Sequence, residues 1–207
     1  MDRDREWWAS YRFTAEYPHF VDHEARAARI GVCQPLVVPG ILQTRAYAEA
    51  ATAAIIGLPQ DHPAVLARVE VRLGRQFDLL NRMAGADPPR LTVVLDEIVL
   101  RRPVGGAAVL RAQLDALLEL STIDSIAVAV MPTRDGAHAG LGGYFELLRF
   151  PGGQEDVVFI ESTATDSLLT GAAATAPYRD SLDRLVSTPG DGRPAAETIA
   201  QIRDSLG

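Results

Sequence analysis

Cysteine is almost missing from the chain: Cys33 is the only one in 207 residues. A single thiol excludes an internal disulfide framework and a cysteine-built zinc module. Long apolar runs are missing as well. No stretch approaches the ~18 continuous apolar residues of a membrane span. The charged opening Met1-Asp2-Arg3-Asp4-Arg5-Glu6 lacks the apolar core of a signal peptide. A soluble cytoplasmic protein with no membrane partner is therefore expected. There is no basic excess either: 20 Lys plus Arg stand against 27 Asp plus Glu, for a net charge of -7. Broad nucleic-acid-binding surfaces need clustered cations facing phosphate, so direct DNA binding is not expected. What the chain does have is length and apolar content. At 207 residues and 47% hydrophobic it can build one full core.

The patterning divides the chain into three parts of a single domain: a helical part over 1–86, a sheet-containing part over 87–162 and a helical part over 163–207. The first part opens with an aromatic cluster, Trp7, Trp8, Tyr11, Phe13, Tyr17 and Phe20. A short helix is expected around 4–12 and a second over 19–30. Val37-Val38-Pro39-Gly40 is a turn signal, followed by a helix to about Ile56 and a stop at Gly57-Leu58-Pro59. The clearest helix spans 63–84, where Leu66, Val69, Leu73, Phe77 and Leu80 recur at spacings of three and four. Arg68, Arg72, Arg75 and Arg82 read as its solvated faces.

The middle part changes period. Leu91 to Leu95 is a β-branched apolar run, and Ile126 to Met131 is another, with a helix over 107–120 between them. Strand, helix, strand implies a crossover joining parallel strands. Tyr144 to Phe150 and Val157 to Glu161 read as two further strands joined by the loop Pro151 to Glu155. The fold class is thus α/β (α+β): a mixed sheet of at least four strands within 91–162, packed with N-terminal and C-terminal helices. The tail gives helices starting near Pro177 and Pro194, with Thr188 to Arg193 as the connection.

Chemical motifs are few. Gly136 to Gly143 contains four glycines, yet it lacks the Gly-Lys-Ser/Thr ending of a phosphate loop and precedes a strand. His138 stands within it with little local cover. Asp96, Glu97 and Glu161 follow apolar strands, where side chains commonly reach a site. If those strand ends converge, Glu97, His138 and Glu161 line one polar pocket. Caps and salt bridges to Arg101, Arg102 or Arg149 are the plainer reading. The separations carry no metal-ligand spacing, and no metal is expected. His19, His23 and Glu24 do not form a zinc-peptidase pattern. Cys33 has no base beside it in sequence, and Ser121, Ser125 and Ser162 lack a nucleophile elbow.

Eight blocks taken in order resemble a known family. They begin with Glu24-Ala25-Arg26-Ala27 and the run Val38-Pro39-Gly40-Ile41-Leu42-Gln43-Thr44-Arg45-Ala46-Tyr47-Ala48. They continue through Arg68 to Gln76, Leu95 to Gly106, Gln113 to Leu117, Val130 to Pro132 with Gly136 to Leu141, Tyr144 to Leu148 and Val158 to Glu161. Together they resemble the DUF5753 domain, the sensing-like region of actinobacterial Scr1-family regulators, described as antitoxin-like. The resemblance covers residues 16–205. Its regulators carry a helix-turn-helix before this domain, and with only about 15 residues ahead of the matched region none is expected here.

The resemblance implies a ligand- or partner-sensing regulatory domain without its own DNA reader. Its expected ligand-binding residues are Tyr47, Arg75, Gln76, Glu97, Arg101, His138, Tyr144 and Glu161, and no cofactor is implied. Two alternatives stand beside it. One is a cofactor-free enzyme of a specialised biosynthetic pathway, with Glu97 or Glu161 as general base, His138 as general acid and Arg101 or Arg75 as anion clamp. The other is an antitoxin-like module that neutralises a basic partner. The expected partners are accordingly a small molecule or another protein, and a homodimer is compatible with either.

Overall fold

The computed structural model describes residues 14–162, 165–187 and 194–206. Thirteen elements other than single helical turns follow in chain order. They are α1 (Glu16–Glu24), β1 (Arg29–Gln34), α2 (Arg45–Ile56), α3 (Pro63–Met83), β2 (Arg90–Asp96), α4 (Glu97–Arg101), α5 (Ala107–Leu120), β3 (Ile126–Met131), β4 (Phe145–Arg149), β5 (Val157–Ile160), β6 (Ser167–Thr170), α6 (Ala172–Ser187) and α7 (Ala195–Asp204). The strands form one mixed sheet in the order β3-β2-β1-β4-β5-β6. β1, β2 and β3 are parallel, and β4, β5 and β6 continue antiparallel from β1. The α/β architecture is thus established, with the four strands expected over 91–162 all present. None of the helices among the described residues is long and apolar enough to cross a membrane.

Alternation along the strands separates two cores. Ile30, Val32, Leu91, Val93, Leu95, Leu148 and Phe159 face the larger one, beneath the helical layer that contains α1 and α5. Cys33, Val94, Met131, Phe145, Leu147 and Val158 face the smaller one, closed by Leu182 and Leu185 of α6. In the larger core Phe20 of α1 stacks on Phe159 with ring centroids 3.9 Å apart. Each fully buried ring of this kind contributes roughly 1.5–3 kcal/mol by leaving water.

Two strands lie where the sequence suggests helix. Residues 19–30 are not one helix: α1 ends at Glu24, and β1 begins at Arg29 within the part read as helical, 1–86. β1 is central, so its residues from Ile30 to Gln34 are all buried and show no polar alternation. Gly31 further disguises it, and its missing side chain leaves room for α6. A Cβ on Gly31 would lie 2.2 Å from Leu182 Cδ2 of α6. β6 is the second addition, a four-residue edge strand within the part read as helical, 163–207.

The helices differ in detail. α6 starts at Ala172, not near Pro177, and Pro177 lies inside it. The Ala-rich start favours helix strongly enough to absorb one lost backbone bond. α3 is rotated from the expected face. Val69 is buried as expected, but Val65 and Leu79 are buried as well, whereas Leu66 and Phe77 are exposed. Its arginines are not simply solvated. Arg72 donates to Thr52 Oγ1, Arg75 to Glu24, and Arg82 to the carbonyls of Glu24 and Ala27 at the end of α1. The expected helix over 4–12, with Trp7, Trp8, Tyr11 and Phe13, and the connection 188–193 lie outside the described residues.

Candidate functional site

The carboxyl ends of β1, β2 and β3 point the same way, and the segment after β3 returns across them. A sheet of this kind leaves a crevice at those ends, because connecting loops splay apart there. The crevice here is a cleft of about 260 Å³ between the segment 131–139 and α6. Met131, Pro132, Ala137, Ala139 and Leu185 supply apolar lining, and Asp135, His138 and Arg184 supply polar groups. Apolar walls with a few convergent polar groups are the usual composition of a small-molecule site, and the volume lies just under the ~300 Å³ low end of such sites.

Two adjacent residues at the end of β2 hold the returning segment. Asp96 Oδ1 accepts from the Ile98 N-H and caps α4, while Oδ2 lies 3.1 Å from His138 Nε2. Glu97 Oε2 accepts from the Thr133 N-H at 3.0 Å, and Oε1 pairs with Arg101 at 2.6 Å. Burial alone would raise the Glu97 carboxyl. The Thr133 N-H and Arg101 outweigh it and hold Glu97 below the usual carboxylate range.

His138 has both ring nitrogens engaged. Nδ1 accepts from the Gly140 N-H at 3.2 Å, which places the ring proton on Nε2, facing Asp96. The ring therefore braces the turn Ala139–Gly142 and stands beside the cleft. Cys33 Sγ reaches the Gly140 carbonyl from below at 3.9 Å. Gly140 is tightly enclosed: a Cβ there would lie 3.0 Å from both Cys33 Sγ and His138 Nδ1, so one of the two would have to give. Burial pushes the Cys33 thiol up to about 11, so it is not a thiolate nucleophile at neutral pH. Among the described residues no group of three or more His, Cys, Asp and Glu could hold a metal ion.

A second polar cluster lies on the other face of the sheet, inside the larger core. Arg75 of α3 donates from Nε and Nη2 to the two carboxylate oxygens of Glu24, each at 2.6 Å, and from Nη1 to Tyr17 Oη at 3.1 Å. Its guanidinium stands 4.6 Å from the Phe20 ring centroid. Burial works against that charge, but Glu24, Tyr17 and Glu146 hold Arg75 firmly protonated. Glu146 projects from β4 with its Oε2 3.9 Å from Arg75 and accepts from Tyr144 Oη at 3.1 Å. Burial and the neighbouring Glu24 charge push the Glu146 carboxyl well above its ordinary range. Burial and the charges of Glu146 and Glu161 push the Tyr144 phenol up as well.

The residues singled out in the sequence thus fall into three places. Glu97, Arg101 and His138 hold or face the segment that borders the cleft. Arg75 and Tyr144 join Glu24 and Glu146 in the buried cluster. Tyr47 and Gln76 brace the chain before α2: Tyr47 Oη accepts from the Val38 N-H, and Gln76 Nε2 donates to the Ile41 carbonyl. Glu161 does not join Glu97 and His138. It is exposed beyond β5, where its charge acts on Tyr144. Met131, Asp135, Arg184 and Leu185 line the cleft without having been singled out. Only the close of β3 at Met131-Pro132 hinted at any of them.

Residues 17–203 match the family described as Domain of unknown function (DUF5753). No curated protein and no solved structure matches the chain. The match spans most of the sequence, including every element from β1 to β6 and the polar groups at both sheet faces, and the chain belongs to the DUF5753 family.

Proposed function

We propose that this domain is a regulatory sensor that binds a small, mostly apolar molecule in the cleft between the end of β3, the segment that follows it and α6. The observation that carries this reading is the placement of His138. Asp96 and the Gly140 N-H fix its ring at the edge of a cleft lined chiefly by apolar side chains. A ligand seated there touches the segment 131–139 and α6 together, so its occupancy favours one arrangement of the two. The same geometry argues against the acid-base enzyme. Both imidazole nitrogens of His138 are already used, and both Glu97 oxygens accept from Thr133 and Arg101. Gly136 and Gly143, at φ of 74° and 120°, bracket the turn that a ligand would displace, and few other residues adopt such angles.

The test uses native mass spectrometry of the purified protein together with a fragment screen read by amide chemical shifts. Retained mass, or shifts concentrated on 131–139 and α6, supports the reading. Ala137→Trp, at an exposed position on the cleft wall, fills the cleft and is expected to abolish both signals while the melting transition persists. Binding that survives Ala137→Trp, or shifts confined to other surfaces, removes the cleft from consideration.

A further inference from the structure

We infer that the turn Ala139–Gly142 is a proton-operated latch, in which a second proton on the His138 ring turns over the peptide between Ala139 and Gly140. The inference rests on the turn itself and needs nothing bound in the cleft. The ring holds this turn as an acceptor. The Gly140 N-H donates to Nδ1 at 3.2 Å, and the Leu141 N-H closes the turn on the His138 carbonyl at 3.1 Å. A protonated imidazole has two N-H groups and no acceptor. A proton at Nδ1 therefore sets one N-H against another. Gly140 is buried, where a donor without an acceptor is costly.

Either the ring or the turn must give, and the ring is anchored at its other end. Nε2 lies 3.1 Å from Asp96 Oδ2, and Asp96 is itself held through Oδ1 by the Ile98 N-H. The proton that breaks the contact with Gly140 turns the Asp96 hydrogen bond into an ion pair. The ring is held more firmly as the turn is let go. Other charges nearby do not reverse this. Asp135 of the same segment and Arg184 of α6 share the cleft with His138, one of each sign. Glu97 beside Asp96 is engaged by Thr133 and Arg101, and the Cys33 thiol of β1, below Gly140, is uncharged. Among the described residues no other charged group pairs with the ring.

Glycine at position 140 gives the turn a second form. Turning over the central peptide of a four-residue turn requires a positive φ at its third residue, which glycine adopts freely. In the turn from His138 to Leu141 the third residue is Gly140, and its φ is negative in the present form. The flip points the Gly140 N-H away from the ring and brings the Ala139 carbonyl to face the new Nδ1 proton. That carbonyl gives up its helical-turn bond from the Gly142 N-H. Gly142 is exposed, so water takes its place. Because His138 and Ala139 both line the cleft, the flip reshapes one of its walls.

Nitrogen-15 spectroscopy of the imidazole in the whole chain, combined with amide exchange at Gly140, tests the latch. The titration runs from about pH 8 to about pH 5, the span in which histidine changes charge. The His138 ring should pass from the Nε2-H form to the doubly protonated one. The Gly140 amide and Ala139 carbonyl shifts should move with the same midpoint. Protection of the Gly140 amide, corrected for the intrinsic effect of pH, should fall roughly tenfold. His138→Asn puts an oxygen where Nδ1 stands, which accepts from the Gly140 N-H at every pH. Its Gly140 amide should stay protected throughout. Asp96→Asn keeps a cap on α4 but removes the anchoring charge, so the transition should move to lower pH. A Gly140 amide that stays protected beside a doubly protonated ring overturns the proposal. So does a ring that takes no second proton while the fold persists, or a His138→Asn chain whose Gly140 signals still titrate as in wild type.

Discussion

Arg75 takes both carboxylate oxygens of Glu24 at 2.6 Å, across 51 positions of sequence, in a site that water scarcely reaches. This pair joins α3 to the C-terminal end of α1 above the strands. Removing one member leaves the other charged and buried, which costs far more than the pair itself contributes. Arg75→Met is therefore expected to destabilise the fold by about 3–5 kcal/mol in urea denaturation. Arg75→Lys should recover only part of this, because an ammonium cannot make the two-pronged contact. Full recovery by lysine would show that charge, not geometry, holds α1.

Glu146 gives the pH dependence a sign. Its folded carboxyl is held well above its ordinary range, chiefly by burial and next by Glu24. Above the unfolded pKa, roughly 4.3, the native state keeps a proton that the unfolded state has lost. Stability from this group is fully present below that pH and falls as pH rises towards the folded pKa. The slope approaches about 1.4 kcal/mol per pH unit. Glu146→Gln mimics the neutral acid, so its urea midpoints should decline less than those of wild type between pH 5 and 8. Parallel profiles for the two proteins would mean that Glu146 is ionised in the fold.

How far the sequence could be read depended on whether the signal was local. α2, α5 and α7 follow from periodicity with Gly57, Gly106 and Pro194 at their boundaries, and β2 and β3 from β-branched runs. β1 escaped because it is buried on both faces and interrupted by Gly31, whose reason is Leu182, far along the chain. α3 carries apolar residues on more than one face. Its period was therefore legible but its buried side was not: packing chose Val65 and Leu79 over Leu66 and Phe77.

The polar groups divide along the same line. Glu97 and His138 stood out from their positions at a strand end and in a glycine-rich loop. Their partners did not, since Thr133 contributes a backbone N-H and Asp96 acts in part through its cap on α4. Glu24 and Glu146 gained their meaning only from the fold. One signal was available: Glu146 is a lone acid between Phe145 and Leu147 in an apolar strand. A charge there needs either a partner or a proton, and it has Tyr144, nearby Arg75 and a carboxyl pushed towards its protonated form.

Glu97 should be measured through the amide that it holds. Glu97→Ala frees the Thr133 N-H and the Arg101 guanidinium, and a loss of roughly 0.5–1.5 kcal/mol is expected for the hydrogen bond. Hydrogen exchange at Thr133 and its neighbours should accelerate, with little change in β4 and β5. Because the Glu97 carboxyl is held low, its contribution is present above the unfolded pKa. It is lost as pH falls through the folded value. Exchange at Thr133 that is the same in both proteins would sever Glu97 from the segment bordering the cleft.

The contact between Gly31 and Leu182 tests how α6 is seated on the sheet. A methyl group on Gly31 would meet Leu182 Cδ2 at 2.2 Å, so either the leucine rotates or α6 shifts. Gly31→Ala is expected to cost about 1–3 kcal/mol, the usual range for an overpacked core. Leu182→Ala should cost about 2–5 kcal/mol from the cavity that it opens. In the double variant the added methyl enters that cavity, so the two losses should fall well short of their sum. Urea denaturation of the four proteins gives the coupling directly. Strict additivity would place the Leu182 side chain away from Gly31, and with it the end of α6 that carries Arg184 and Leu185 into the cleft.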